Sequence, residues 1–260
     1  MTKQLQKKIL ILALFAGEIM MKSGAEIYRV EDTITRICKA CNIPYVEVFV
    51  TPTGIFLSLD KGEDSEMFTF IKRIKGTGTD LGKISMTNQF SRDFVNTDLS
   101  IEEGMERLKQ ISQTKLYNIW LRVLGAACAC SFFCKMFNGD WKDFACAFIV
   151  GACSYVLSVG FDKIETNYFI KGFFCTAFAA LMALVCSSTG LGSSSGPITI
   201  GALMLFVPGV AITNAIRDFL AGDMLSGVAR AVEAFFVAIS LATGAGVMLR
   251  LWVTLGGEII

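Results

Sequence analysis

The chain has 260 residues, 53% of them hydrophobic, with a formal net charge of +1 and no histidine. A mean hydropathy of +0.55 excludes an ordinary soluble domain and marks a membrane protein. The balanced charge argues against nucleic acid as a partner, and the missing histidine removes the Ser-His-Asp and Cys-His catalytic machinery.

Charge is unevenly spread, since residues 1–118 carry 16 of the 24 Lys+Arg and 15 of the 23 Asp+Glu. The chain therefore divides into a small polar α+β domain at 1–117 and an all-α membrane domain at 118–260. Lys3, Lys7 and Lys8 ahead of an apolar run imitate a signal peptide. Against cleavage, Leu5, Ile9, Leu12, Ala16, Ile19 and Met20 share one face of a helix that continues past Glu18 to about Lys22. Ser23-Gly24 ends it, and a second helix at 25–41 has an apolar face of Ile27, Val30, Ile34, Ile37 and Cys38. After Pro44 the pattern alternates: Val46, Val48 and Val50, then Ile55, Leu57 and Leu59, with Thr51-Pro52-Thr53-Gly54 between them as a hairpin turn. A third strand is expected at 66–75. The glycines that follow miss the phosphate-loop spacing, so no nucleotide site is read there. Helices follow at 81–96 and 101–113, the second opened by a Ser100–Glu103 capping box.

Five apolar runs, 119–137, 142–160, 168–187, 198–216 and 229–251, are each long enough to cross a hydrocarbon core of about 30 Å. Trp120, Trp141 and Trp252 mark the ends of three of them. The lysine and arginine bias places the N-terminal domain in the cytoplasm and the C-terminus outside. Seven of the nine cysteines fall in apolar runs, where thiols behave as small hydrophobes. Cys38 and Cys41 lack the second pair or histidines of a zinc site, so they read as a helix face, and no metal or cofactor is expected. Gly192-Ser193-Ser194-Ser195-Gly196 matches a nucleophile elbow in letters only and reads as a flexible loop.

The segment 208–233 stands apart. Pro208 and Gly209 should kink or interrupt a helix, and Arg217, Asp218, Asp223, Arg230 and Glu233 follow within a few turns. Ionisable groups at that depth suggest a solute pathway. Arg217 suits a carboxylate, and Asp223 or Glu233 suits an ammonium or a coupling proton, Glu233 being the deeper in its apolar run. The structural alternative is that Arg217 and Asp218 cap a helix and that Arg230 and Glu233 neutralise each other. In the N-terminal domain Ser23, Glu26, Arg29, Glu31 and Asp32 cluster after a glycine break. They form either helix ion pairs or a vestibule with Thr51 and Thr53 at its mouth.

Ser23-Gly24-Ala25-Glu26-Ile27-Tyr28-Arg29-Val30-Glu31-Asp32-Thr33, the hairpin from Val46 to Gly54, and Pro208-Gly209 with Asn214-Ala215-Ile216-Arg217-Asp218, Gly222-Asp223 and Ser226-Gly227 resemble the bacterial threonine/serine exporter family. The resemblance covers nearly the whole chain and adds Asn214 to the pathway residues. It implies an inner-membrane exporter of small polar metabolites, driven by the proton gradient, with a cytoplasmic N-terminal domain. Single-chain members have about ten spans, so this chain resembles the large subunit of the split form, similar to two-component exporters of succinate. That form implies a small all-helical membrane subunit as partner in a hetero-oligomer. A membrane-anchored hydrolase using Glu26 or Asp32 as base is the competing class, and a sensor or scaffold without transport is the third.

Overall fold

The computed structural model describes residues 3–60, 67–114, 117–164 and 166–258. In chain order its elements are α1 (Lys3–Lys22), α2 (Ile27–Ala40), β1 (Tyr45–Thr51), β2 (Gly54–Asp60), β3 (Phe68–Arg73), α3 (Leu81–Asn96), α4 (Ile101–Gln113), α5 (Ile119–Met136), α6 (Trp141–Lys163), α7 (Tyr168–Ser188), α8 (Ser195–Leu203), α9 (Gly209–Ala221) and α10 (Met224–Thr254). They form two compact units, one from 1–115 with 209–232 and the other from 116–208 with 233–260.

In the first unit α1 is the central element. Ile9, Leu12, Ala13, Ala16 and Met20 are almost free of solvent, and the helix touches α2, α3, α4 and the sheet. Full burial of each large aliphatic side chain contributes roughly 1.5–3 kcal/mol, which explains why a helix that imitates a leader is the core of this unit. Gly17 permits the close α1–α2 approach, since a Cβ there would stand 2.6 Å from Ile34 Cδ1. The sheet has the order β1-β2-β3, antiparallel, with Val50 opposite Ile55, Val48 opposite Leu57 and Val46 opposite Leu59. Those apolar positions face the helices, as the alternation predicts. The expected start of β3 at Glu66 lies outside the described residues. The Ser100–Glu103 capping box forms at the head of α4.

In the second unit small residues let the helices close on one another. Cys134, Cys146, Ala147, Ala179, Ala183 and Ala202 are buried together, and a Cβ on Gly201 would stand 2.6 Å from the Cys130 carbonyl oxygen. Among the described residues four helices, α5, α6, α7 and α10, are long and apolar enough to cross a membrane. The run 198–216, expected to be kinked or interrupted at Pro208-Gly209, is divided. α8 stops at Leu203, and α9 starts only at Gly209. Pro208 explains the break, because it lacks a donor and biases the preceding residue away from helix. The nine residues of α8 rise only about 14 Å, and Ile198 and Ala202 are wholly buried among its neighbours.

Candidate functional site

The site begins at the α1–α2 corner. Gly24 has φ +83°, and a Cβ there would stand 2.7 Å from the Gly78 carbonyl oxygen, so glycine is needed on both counts. The loop before α3 is stitched to this corner: Gly78 N–H donates to the Lys22 carbonyl at 2.9 Å, and Asp80 N–H to the Ser23 carbonyl at 3.0 Å. α2 then starts with Glu26 as N-cap residue, whose side chain makes no capping bond.

α9 and the first turns of α10 supply what the corner lacks. Asn214 Nδ2 donates to the Gly24 carbonyl at 2.9 Å, and Arg230 Nη2 to the Ala25 carbonyl at 2.7 Å. Asp218 Oδ1 accepts from Ile27 N–H at 3.3 Å, so a carboxylate 191 residues away caps α2 and meets the positive end of its dipole. Arg217 Nη1 pairs with Glu26 Oε1. These four consecutive residues, 24–27, are thus held by four side chains from one helical hairpin. Its turn uses Gly222 at φ +92°, with Asp223 N–H donating to the Asp218 carbonyl at 2.8 Å. Asn214, Asp218 and Arg230 are all buried, and Asp218 Oδ2 lies 3.4 Å from Arg230 Nε. Among the described residues, Asp218 Oδ2 and Arg230 Nη1 have no hydrogen-bond partner. A buried ion pair satisfied on only some of its atoms forgoes part of what would offset its desolvation.

Beside this clamp lies a cavity of about 600 Å³. Its walls are Gly24, Glu26 and Arg29 at the corner, Leu81, Ile84, Ser85 and Asn88 of α3, and Gly209, Val210, Thr213, Asn214 and Arg217 of α9. Glu26 divides its carboxylate, Oε1 to Arg217 and Oε2 to Arg29 Nε at 3.2 Å. Glu26 is buried, whereas the side chains of Arg29 and Arg217 are 37% and 52% exposed.

Of the residues singled out in the sequence, Asn214, Arg217, Asp218, Arg230, Glu26 and Arg29 come together here. Ser23 is buried in the corner through its main chain. Glu31 turns to the sheet and accepts from Val50 N–H at 2.9 Å; burial pushes its carboxyl up, the Val50 bond opposes this, and Asp223 and Asp218 add to the rise. Asp32 pairs with Arg36 rather than with Arg29. Thr51 and Thr53 stay in the hairpin turn, Thr51 Oγ1 donating to Gly54 O at 3.3 Å and Thr53 O accepting from Ile74 N–H at 2.9 Å, and neither lines the cavity. Pro208 and Glu233 belong to the other unit, where Glu233 is exposed. Arg230 is committed to Asp218 instead of the Glu233 three residues on. Burial pushes the Cys38 thiol up to about 12, which leaves it inert as a nucleophile. Sequence reasoning missed the α3 wall, because Ser85 and Asn88 look like any solvent-facing polar residues. The Asp80 N-cap of α3, which accepts from Lys83 N–H, was the one local signal that this helix starts at the corner.

The second unit has a polar knot of its own. Asp143 is 2% exposed and accepts from Ser193 N–H at 2.7 Å and Ser194 N–H at 3.0 Å on Oδ1, and from Asp140 N–H at 3.1 Å on Oδ2. Asp140 returns the capping bond and takes the Ser193 hydroxyl at 2.5 Å. The serine-rich loop expected to be flexible is therefore tied down.

Residues 11–252 match the family described as "Putative threonine/serine exporter". Among curated relatives, the chain is 24% identical over 255 residues to the "Probable succinate transporter subunit YjjP" of Klebsiella aerogenes, covering 96% of each chain. It is 23% identical to the protein of that name in Escherichia coli, over 97% of this chain and 98% of that one. It is 21% identical to the "Probable threonine/serine exporter" of Mycobacterium tuberculosis over 94% of this chain, but spans only 46% of that protein's length. No solved structure matches. The activities these names carry are transport and export, not enzymatic reactions.

Proposed function

The chain belongs to the threonine/serine exporter family, a family of integral membrane exporters, and on that premise we propose that it is the large subunit of a two-component exporter. It moves threonine, serine or a dicarboxylate such as succinate out of a bacterial cell, with the proton gradient as driving force. The observation that carries this reading is the cavity at the α1–α2 corner, where Arg29 and Arg217 flank Glu26 and α9 closes one wall. Guanidinium groups suit a solute carboxylate, and a helix broken by Pro208 suits a place where a solute leaves water. The first unit faces the cytoplasm and receives solute there.

The broken run 198–216 counts as the fourth of five crossings, which puts the C-terminus outside. Glu233 stands about twenty residues before Trp252, at the edge of the stretch that α10 needs to cross, where it carries the coupling proton. A small all-helical subunit supplies the remaining spans, in keeping with the word "subunit" in the names of the relatives of equal length.

The test is efflux. Cells lacking the chain should accumulate the solute inside, and Arg217→Ala in an inserted protein should abolish its export. Wild-type efflux from that variant would remove the site. A topology reporter fused after Ile260 should read outside the cell, and a cytoplasmic signal would remove the five-crossing arrangement.

A further inference from the structure

The state of Glu26 bears on which end groups the cavity accepts. Glu26 is the one acidic side chain among the described lining residues, set against two guanidiniums, so the charged lining sums to +1. Both Glu26 oxygens are already taken, Oε1 by Arg217 and Oε2 by Arg29. An arriving ammonium would meet a carboxylate that is neutralised twice over and only 5% exposed. Each guanidinium, by contrast, carries five N–H donors in a planar fork that matches a carboxylate, and both side chains are open to the cavity. Leu81, Ile84 and Val210 supply apolar surface for a short hydrocarbon body, beside the polar Ser85, Asn88, Thr213 and Asn214.

We propose, resting on the export reading above, that this cavity takes a short aliphatic carboxylic acid without an amino group, its carboxylate on Arg217 and Arg29 and its carbon chain against Leu81, Ile84 and Val210. Glu26 is the positioning residue, holding the two guanidiniums together and setting the net charge that the ligand must balance. An α-amino acid is disfavoured because its ammonium would be desolvated beside two cations.

The experiment is calorimetric titration of the purified full-length chain in nanodiscs with butyrate, succinate, threonine and inorganic phosphate. Butyrate and succinate should bind at least about tenfold tighter than threonine, and Arg217→Gln should weaken butyrate by about tenfold or more. Glu26→Gln guards against a trivial loss of fold. It raises the local charge by one and should shift preference from butyrate toward succinate, a gain that unfolding cannot imitate. Threonine binding as tightly as butyrate, phosphate binding tighter than both acids, or an unchanged butyrate-to-succinate ratio in Glu26→Gln overturns the proposal. If Arg217→Gln binds butyrate like wild type while cells still export acids, the site falls and the export reading stands. Selective acid binding by a chain that exports nothing supports the site and removes the export reading.

Discussion

Asp143 and Asp218 each accept main-chain hydrogen bonds from far along the sequence, Asp143 from N–H groups 50 and 51 residues on and Asp218 from one 191 residues back. Both are buried, 2% and 0% exposed. Asp143 is satisfied on both oxygens by backbone donors and has no counter-cation in contact among the described residues. Asp218 instead faces Arg230 and leaves Oδ2 without a hydrogen bond, as Arg230 leaves Nη1. A fully satisfied buried carboxylate is a fixed anchor, whereas a partly satisfied pair keeps polar capacity in reserve. The difference separates a joint that holds the bundle from one that lies beside the cavity at the α1–α2 corner.

The strongest test of that contrast is Asp143→Ala, which strands two loop N–H groups and the head of α6 together. It should cost about 3 kcal/mol or more and appear as a lower unfolding temperature of the full chain in detergent. Arg230→Met should cost about 3 kcal/mol by leaving Asp218 buried and uncompensated, while the double change with Asp218→Leu should recover part of it, the Ala25 carbonyl and Ile27 N–H staying without these partners. If Arg230→Met costs more than Asp143→Ala and the double change recovers nothing, the anchor-versus-reserve distinction is wrong. Gly24→Ala should cost about 2 kcal/mol, because it places a Cβ against the Gly78 carbonyl at positive φ.

The smallest effect is a pH dependence. The Glu31 carboxyl titrates above its ordinary value of 4.5 when folded, so the folded state binds more protons between the two values. Its contribution to stability is full below 4.5 and is lost as pH rises through the folded value. Glu31→Gln should flatten that part of the stability profile, read from unfolding midpoints at about pH 4.5 and about pH 7.

What was legible in the sequence was local. The helices at 81–96 and 101–113 and the hairpin follow from caps, turns and alternation that neighbouring residues decide among themselves. Pro208 announced the break between α8 and α9 for the same reason, although the apolar letters around it still read as one span. What was not legible was partnership at long range. Nothing near Arg230 says that it pairs with Asp218 rather than Glu233, since both spacings are possible and tertiary packing chooses. The Arg217–Glu26 pair and the wall of Ser85 and Asn88 likewise join segments far apart in sequence. The serine loop misled for a related reason: its small residues imply freedom only until Asp143 is placed beneath them.

Three of the four contacts at the α1–α2 corner fall on peptide groups, the carbonyls of Gly24 and Ala25 and the N–H of Ile27, and only one on a side chain. The joint is therefore written in asymmetric letters. Positions 25 and 27 convey shape alone and should accept substitutions of similar volume in a saturation scan, because every residue but proline offers the same amide. Positions 214, 218 and 230 carry the whole of the chemical message and should accept almost none. One half of this contact can drift in sequence without changing the groups that the other half reads.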